Sequence, residues 1–487
     1  MSNSTENIEG KSSSFIDRSL KTLFELTNVW KSFSSKSLEK LDSNLVDIDD
    51  IEFLKKEIGD SILKKGGEIS NKTRVMNLGI LYFRLSDIGK LNFHKVLAKE
   101  FDIDKKKLEK RIEKYLSVDL DEDKIKYELE LKTCLIPKRI ELLKQFRQLD
   151  DGFQFLIDMR VDLLPHTRKD PYLKKLDNDF KYILKSGFDI SLLDLKLINW
   201  DSSADMLEKL IKYEAVHEIE SWRDLKSRLD STDRKCYGFF HYKMPNIPLI
   251  FVEIAFTKQL SSSIQALLNE NSNKYLAEET DTAIFYSISN TQKGLAGIPF
   301  GNFLIKRVVE ELSNKHKNLK KFATFSPVPG FRKWLDKYLI SFKNQKNSDE
   351  KLFSEKEISN IKNISGLDDV IEGYKKLLAN ANWSSDETIS NILKMPLMRM
   401  CVIYFNTAKR GKRALDPVTN FHITNGAYLK QINWLADTSK NGMKQSAGIM
   451  VNYYYELTEI DKNHELYMSE GKIKISKEVN SWVKKYD

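Results

Sequence analysis

Cysteine is scarce in this chain: Cys134, Cys236 and Cys401 are the three among 487 residues. They are too few and too far apart for a disulfide framework or a metal knuckle, and they point to a reducing compartment. Long apolar runs are also missing. The longest, residues 247–256, spans ten positions and contains Glu253, so it reads as a buried strand rather than a membrane span. There is no complete Gly-x-x-x-x-Gly-Lys-Ser/Thr phosphate loop, no dinucleotide fingerprint, no HExxH or CxxC pair, and no Gly-x-Ser-x-Gly nucleophile elbow. Nor is there a large charge of one sign: 79 basic against 70 acidic residues leave +9, mild for this length. No basic run interleaves with aromatic residues as a nucleic-acid platform would, so the surplus suits a small polyanionic ligand better. The first fourteen residues are rich in Ser and Asn, carry Glu6 and Glu9 against Lys11, and have no apolar core. Neither a signal nor a transit peptide is expected there. A cytoplasmic location follows as the expectation, with the mitochondrial matrix as the alternative.

What is present is an ordinary globular composition, 41% apolar and 31% charged, long enough for two domains. Three of the ten prolines precede residue 190 and seven follow it, which suggests two halves of different character. In the first, Ile16, Leu20, Leu23 and Trp30 recur at helical spacing, then Leu108, Ile112 and Leu116, then Ile140, Leu143, Phe146 and Leu149. This predicts a flexible tail over 1–14, an all-α helical bundle over 15–190, and a mixed α/β domain over 191–487. His166, in a Leu-Pro-His-Thr segment, reads as a loop residue.

The second half opens with two β-rich runs, 236–242 and 247–256, joined by a turn at Met244-Pro245-Asn246. A third strand covers 282–288. After Lys293-Gly294-Leu295-Ala296-Gly297 a helix begins near Phe300, with Leu304, Ile305, Val308, Val309 and Leu312 on its inner face. The next strand ends at Ser326, because Pro327 cannot donate to a continuing ladder. Strand, helix, strand is a βαβ unit, whose right-handed crossover brings both carboxyl ends to one sheet edge. The Gly294–Gly297 loop and Ser326 are therefore expected to be neighbours, and a Gly-bearing loop at a helix N-terminus suits a pyrophosphate, with Lys293 adding charge. Taken alone, Ser326 reads more readily as an N-cap for the helix signalled by Phe331, Leu335, Tyr338 and Leu339.

The final third holds the densest polar chemistry. Lys409-Arg410-Gly411-Lys412-Arg413 precedes Asp416-Pro417, and His422 lies between apolar neighbours just before an Asn425-Gly426 turn. A strand is expected over 448–457, with Tyr453 and Tyr455 on one face.

Several blocks in order, Phe285-Tyr286-Ser287-Ile288-Ser289, Gly301-Asn302-Phe303-Leu304-Ile305-Lys306-Arg307, Phe325-Ser326-Pro327-Val328-Pro329-Gly330-Phe331, Arg413-Ala414-Leu415-Asp416-Pro417-Val418, Phe421-His422-Ile423-Thr424-Asn425-Gly426-Ala427 and Ile432-Asn433-Trp434-Leu435-Ala436-Asp437, closely resemble the malonyl-CoA decarboxylase family. The resemblance implies an α+β multidomain chain, with helices that mediate self-association as a dimer or tetramer. It also implies a catalytic domain of the acyl-CoA-dependent N-acetyltransferase (GNAT) type. Ser326 and His422 fall on the catalytic serine and histidine, and Tyr455 on a tyrosine beside them. Ala296, Gly297, Ile298, Pro299, Phe300, Gly301 and Asn302 fall on the substrate-binding loop, with Lys293 and Asn425 added to the malonyl-CoA contacts. Two departures stand out. Gln292 is one residue out of register with the acetyltransferase loop pattern, and Pro299 stands where some relatives carry glutamate. The implied reaction takes malonyl-CoA to acetyl-CoA and CO2 and needs no metal or biotin, coenzyme A being part of the substrate. His422, with an unperturbed pKa of about 6.5, is the expected proton donor. An acyl-CoA-dependent acetyltransferase and a non-catalytic acyl-CoA-binding scaffold are the alternatives. No nucleic-acid or membrane partner is expected.

Overall fold

Apolar residues recurring every three or four positions become helices throughout the first part of the chain. They are α1 (Ile51–Ile62), α2 (Glu68–Arg84), α3 (Asp87–Lys99), α4 (Lys105–Leu116), α5 (Asp121–Cys134), α6 (Arg139–Gln148), α7 (Gly152–Leu163) and α8 (Pro171–Lys185). Caps set their starts: the Ser86 hydroxyl accepts from Gly89 N, and the Asp170 carboxylate accepts from Tyr172 N with Pro171 at the first helical position. The computed structural model describes residues 51–63, 67–187, 192–269, 279–298, 304–343 and 352–483. The expected stripe at Ile16, Leu20, Leu23 and Trp30 lies outside them, as does the tail. Ile140, Leu143, Phe146 and Leu149 are core, as their spacing predicts. Leu108, Ile112 and Leu116 do lie on a helix, but α4 buries none of its side chains, and Leu116 is 74% exposed. Periodicity gave the helix, but nothing among the described residues buries that stripe.

The described residues fall into two compact units, one drawn from Met1–Asp194, Phe240–Ile247 and Gln292–Phe300, the other from Leu195–Phe239, Pro248–Thr291 and Gly301–Asp487. The chain is thus α+β, a helical region followed by a mixed sheet. Eight strands make that sheet among the described residues: β1 (Leu193–Ile198), β2 (Arg234–His241), β3 (Met244–Thr257), β4 (Thr282–Asn290), β5 (Lys321–Thr324), β6 (Ser326–Pro327), β9 (Tyr428–Asn433) and β10 (Met450–Tyr454). Their order is β1-β2-β3-β4-β5-β10-β6, with β9 paired to β10; β7 (Lys409–Arg410) and β8 (Arg413–Ala414) form a separate two-stranded ribbon.

The parallel pair at the middle of this sheet sets the position of Ser326. β4 and β5 run side by side with Phe285 opposite Thr324, and the helix between them, α9 (Leu304–Lys315), buries Leu304, Ile305, Val308, Val309 and Leu312. The βαβ unit is therefore present. The hairpin before it is shifted from expectation: β2 ends at His241 and β3 starts at Met244, so the turn is Tyr242-Lys243, and Pro245 lies inside the strand. Pro245 is exposed near the strand's outer end, where a missing N–H is tolerated.

Candidate active site

Ser326 is not the last rung of a strand, as its proline suggests. β5 stops at Thr324, and Phe325 N still reaches Phe285 O at 2.9 Å. Ser326 then pairs with Val451 of β10, in the same register that sets Tyr454 opposite Ala323. Between those two rungs, side chains take over part of the ladder: Asn452 Nδ2 donates to Thr324 O (3.0 Å), and Tyr453 N donates to Thr324 Oγ1 (3.3 Å). The Thr324 carbonyl and the Tyr453 N–H thus keep hydrogen-bond partners where the ladder opens. Nor does Ser326 cap a helix, since α10 (Phe331–Lys343) begins five residues later and the Ser326 hydroxyl bonds elsewhere.

His422 comes from a different kind of element. Asp416 and Pro417, at the cap and first position, start the short helix α11 (Pro417–Thr424), and His422 sits in its last turn. The helix stops at Asn425 and turns through Gly426 at φ 84°, where a Cβ would collide with the Ile460 carbonyl. This places the imidazole on Ser326: Nε2 lies 3.1 Å from Ser326 Oγ, and Nδ1 lies 2.9 Å from the Tyr455 hydroxyl. Tyr453 lies nearly parallel against the ring, centroids 4.8 Å apart at 25°. The three residues expected to form the catalytic group are thus one hydrogen-bonded cluster. All are buried, Ser326 at 7%, His422 at 3% and Tyr455 at 2% exposure.

The proton directions in this cluster can be deduced. Ser326 Oγ donates to Thr324 Oγ1 at 2.9 Å, which uses its only hydrogen. His422 Nε2 must then donate to Ser326 Oγ, and in a neutral ring Nδ1 is left to accept from Tyr455. Tyr455 is suited to that part, because burial pushes its phenol well above the usual range and keeps the O–H on. The chain runs Tyr455, His422, Ser326, Thr324.

The ring itself departs from expectation. Complete burial, with no compensating charge among the described residues, holds the His422 pKa at about 3 instead of the ordinary 6.5, so the unliganded site contains neutral imidazole at working pH. Residue type suggested a near-neutral acid; surroundings decided otherwise. Stability is affected too. The unfolded chain protonates His422 near pH 6.5 while the folded chain resists until about 3, so the stability gained from the neutral ring is present above 6.5 and is lost as pH falls toward 3. The effect is about 1 kcal/mol per pH unit. Between pH 6.5 and 4 the wild-type Tm should fall more steeply than that of His422→Asn; parallel curves in calorimetry would contradict the assignment.

The expected binding residues divide. Asn425 caps the end of α11, with Nδ2 on Phe421 O at 2.8 Å, and its Oδ1 is buried with no hydrogen-bond partner among the described residues. Lys293, Ala296, Gly297 and Ile298 belong to the first unit. There the fully buried Arg160 of α7 holds the turn, its Nη1 on Gly294 O (2.5 Å), Nη2 on Ala296 O (2.8 Å) and Nε on Asp177 (2.7 Å). Lys293, Ala296 and Gly297 are exposed and Ile298 is core. Pro299, Phe300, Gly301 and Asn302 lie outside the described residues. Sequence reading missed Arg160, Thr324 and Asp416. Only the latter two left a signal, Thr324 by lying two residues before Ser326 on one strand face and Asp416 by preceding a proline at a helix start. Among the described residues no group of three or more His, Cys, Asp or Glu is arranged to hold a metal ion, and no helix is long and apolar enough to cross a membrane.

Comparison with known proteins gives one consistent result. Residues 191–487 match the family model for the malonyl-CoA decarboxylase C-terminal domain, and residues 101–188 that for the N-terminal domain. The chain is 38% identical to the mitochondrial malonyl-CoA decarboxylase of Anser anser anser over 371 residues, covering 75% of this chain and 72% of that protein. To the Rattus norvegicus enzyme it is 36% identical, covering 75% and 74%. Among solved structures, malonyl-CoA decarboxylase from Rhodopseudomonas palustris aligns with TM-score 0.78 at 37% identity, over 89% of this chain and 99% of that one. The Agrobacterium vitis enzyme aligns at 0.77 and 34% identity, over 88% and 99%.

Proposed function

Because the chain belongs to the malonyl-CoA decarboxylase family, we infer that it converts malonyl-CoA to acetyl-CoA and CO2, and we propose that Ser326, His422 and Tyr455 carry the chemistry. The observation that carries the proposal is the hydrogen-bonded chain from Tyr455 through His422 to Ser326.

Decarboxylation drives the electrons of a C–C bond into the thioester carbonyl, and the resulting enolate takes a proton at carbon. Malonyl-CoA and one proton give acetyl-CoA and CO2, so the site must take up a proton in each turnover. A neutral imidazole held at about 3 cannot supply it alone. The malonyl carboxylate changes that balance: an anion beside the ring favours imidazolium, so substrate and proton enter together. Nε2 then delivers the proton to the enolate carbon as CO2 leaves. When the malonyl group binds, the Ser326 hydroxyl turns from Thr324 to donate to it and orient it, while Tyr455 keeps the ring turned toward Ser326. A positioned donor of this kind is worth about 3 to 4 kcal/mol in the transition state.

The same proton directions speak against a serine hydrolase. Ser326 gives its proton to Thr324 and receives one from His422, so no base stands ready to activate it as a nucleophile. The parallel β4–β5 pair with its crossover helix is compatible with a GNAT-type acyl-CoA domain, which we include in the proposal. Asn425 Oδ1, which has no partner among the described residues, offers an acceptor for an amide N–H of the substrate's pantetheine arm. The exposed Lys293, Ala296 and Gly297 remain the proposed contacts for the coenzyme A phosphates. Self-association through the helical region and the absence of any metal or biotin requirement complete the proposal. Purified protein given malonyl-CoA with a chelator and avidin present should form acetyl-CoA and CO2 in equal amounts. Unchanged malonyl-CoA, or acetyl transfer from acetyl-CoA to an added amine, would overturn it.

A further inference from the structure

One carboxylate fastens the segment carrying Ser326 to the helix carrying His422. Asp416 is 2% exposed and no Lys or Arg pairs with it among the described residues, yet it accepts five hydrogen bonds. Oδ1 takes Val418 N (3.0 Å), Thr419 N (3.0 Å) and the Thr419 hydroxyl (3.2 Å); Oδ2 takes Gly330 N (3.1 Å) and the Tyr404 hydroxyl (3.4 Å). Backbone N–H groups and the positive end of α11 offset the cost of burying the charge.

Each oxygen leads to one half of the catalytic cluster. From Oδ1 the path is a single helical turn, Thr419 to His422. From Oδ2 it is Gly330 back to Ser326 through Pro329, Val328 and Pro327, where two prolines remove backbone freedom and Val328 is fully buried. A third path ends on the same ring. Thr419 gives its hydroxyl hydrogen to Asp416, so Tyr453 donates to Thr419 Oγ1 at 2.7 Å, and Tyr453 is the ring lying against the imidazole. Gly330 belongs to this arrangement too, since a Cβ there would run into the Tyr404 hydroxyl and press on Asp416 Oδ2.

We infer that Asp416 is a positioning residue for decarboxylation, setting the separation of Ser326 and His422 by holding Gly330 and the start of α11 with its two oxygens. It touches no reacting atom, and the inference rests on the catalytic roles proposed above for that pair.

Asparagine separates its two tasks. Asp416→Asn keeps a side-chain oxygen that caps α11 as well as aspartate does, but presents an NH2 to Gly330 N, donor against donor. Misplacing reacting groups by about 1 Å costs on the order of 10²-fold. The variant should therefore lose about 10²-fold in kcat while KM for malonyl-CoA stays within about threefold and the far-UV dichroism stays native. Gly330→Ala, which disturbs the same oxygen from the other side, should show the same selective loss in kcat. Assaying His422→Asn in parallel separates the two levels. If it retains turnover, the catalytic reading fails. If it is inactive while Asp416→Asn keeps wild-type kcat, or loses activity only in proportion to its folded fraction, the positioning role fails.

Discussion

Replacing His422 with asparagine should lower kcat for malonyl-CoA by about 10³-fold, within the 10²–10⁴ range that a positioned proton donor supplies. The size of the loss follows from the surroundings of the ring. Both of its nitrogens are already engaged, by Ser326 and Tyr455, and Tyr453 covers one face. An asparagine can hydrogen-bond there but cannot carry a proton to carbon. Because the donor must be imidazolium in the complex, wild-type kcat should decline on the alkaline side, and that decline should be absent in the variant. Retention of more than a tenth of wild-type kcat would remove His422 from the chemistry.

Ser326→Ala should cost about 10²- to 10³-fold in kcat, the range for one preorganised donor in a water-excluded site. The hydroxyl links the imidazole to Thr324, so its removal leaves the Nε2 hydrogen without an acceptor as well as taking a contact from the substrate. Near-normal turnover in steady-state assays would show that Ser326 only fills space between β5 and β10.

The features read correctly from sequence rest on local regularity. The βαβ unit was legible because residues 282–288 fit a strand and Leu304, Ile305, Val308, Val309 and Leu312 fit one helix face, and both patterns are carried by neighbours along the chain. Ser326 and His422 were legible through the blocks that resemble the family. Their contact joins residues 96 positions apart, a distance that no periodicity spans. The turn at Tyr242-Lys243 was displaced in the reading because Pro245 is a strong turn signal unless it falls on an exposed strand end. The stripe on α4 was legible as a helix face, but burial depends on what packs against it. The pKa of His422 was out of reach for a similar reason: sequence gives an imidazole, and enclosure by Tyr453, Tyr455 and Phe421 moves it to about 3. Asp416 shows the same limit, its cap visible in Asp-Pro and its second grip, on Gly330, 86 residues away.

The most direct test of the account is the kcat of the double variant Ser326→Ala with His422→Asn, measured beside both single variants. If alcohol and imidazole act as one unit on the bound malonyl group, the double variant turns over no more slowly than the slower single one. If the two losses multiply, the residues act independently and the account is wrong.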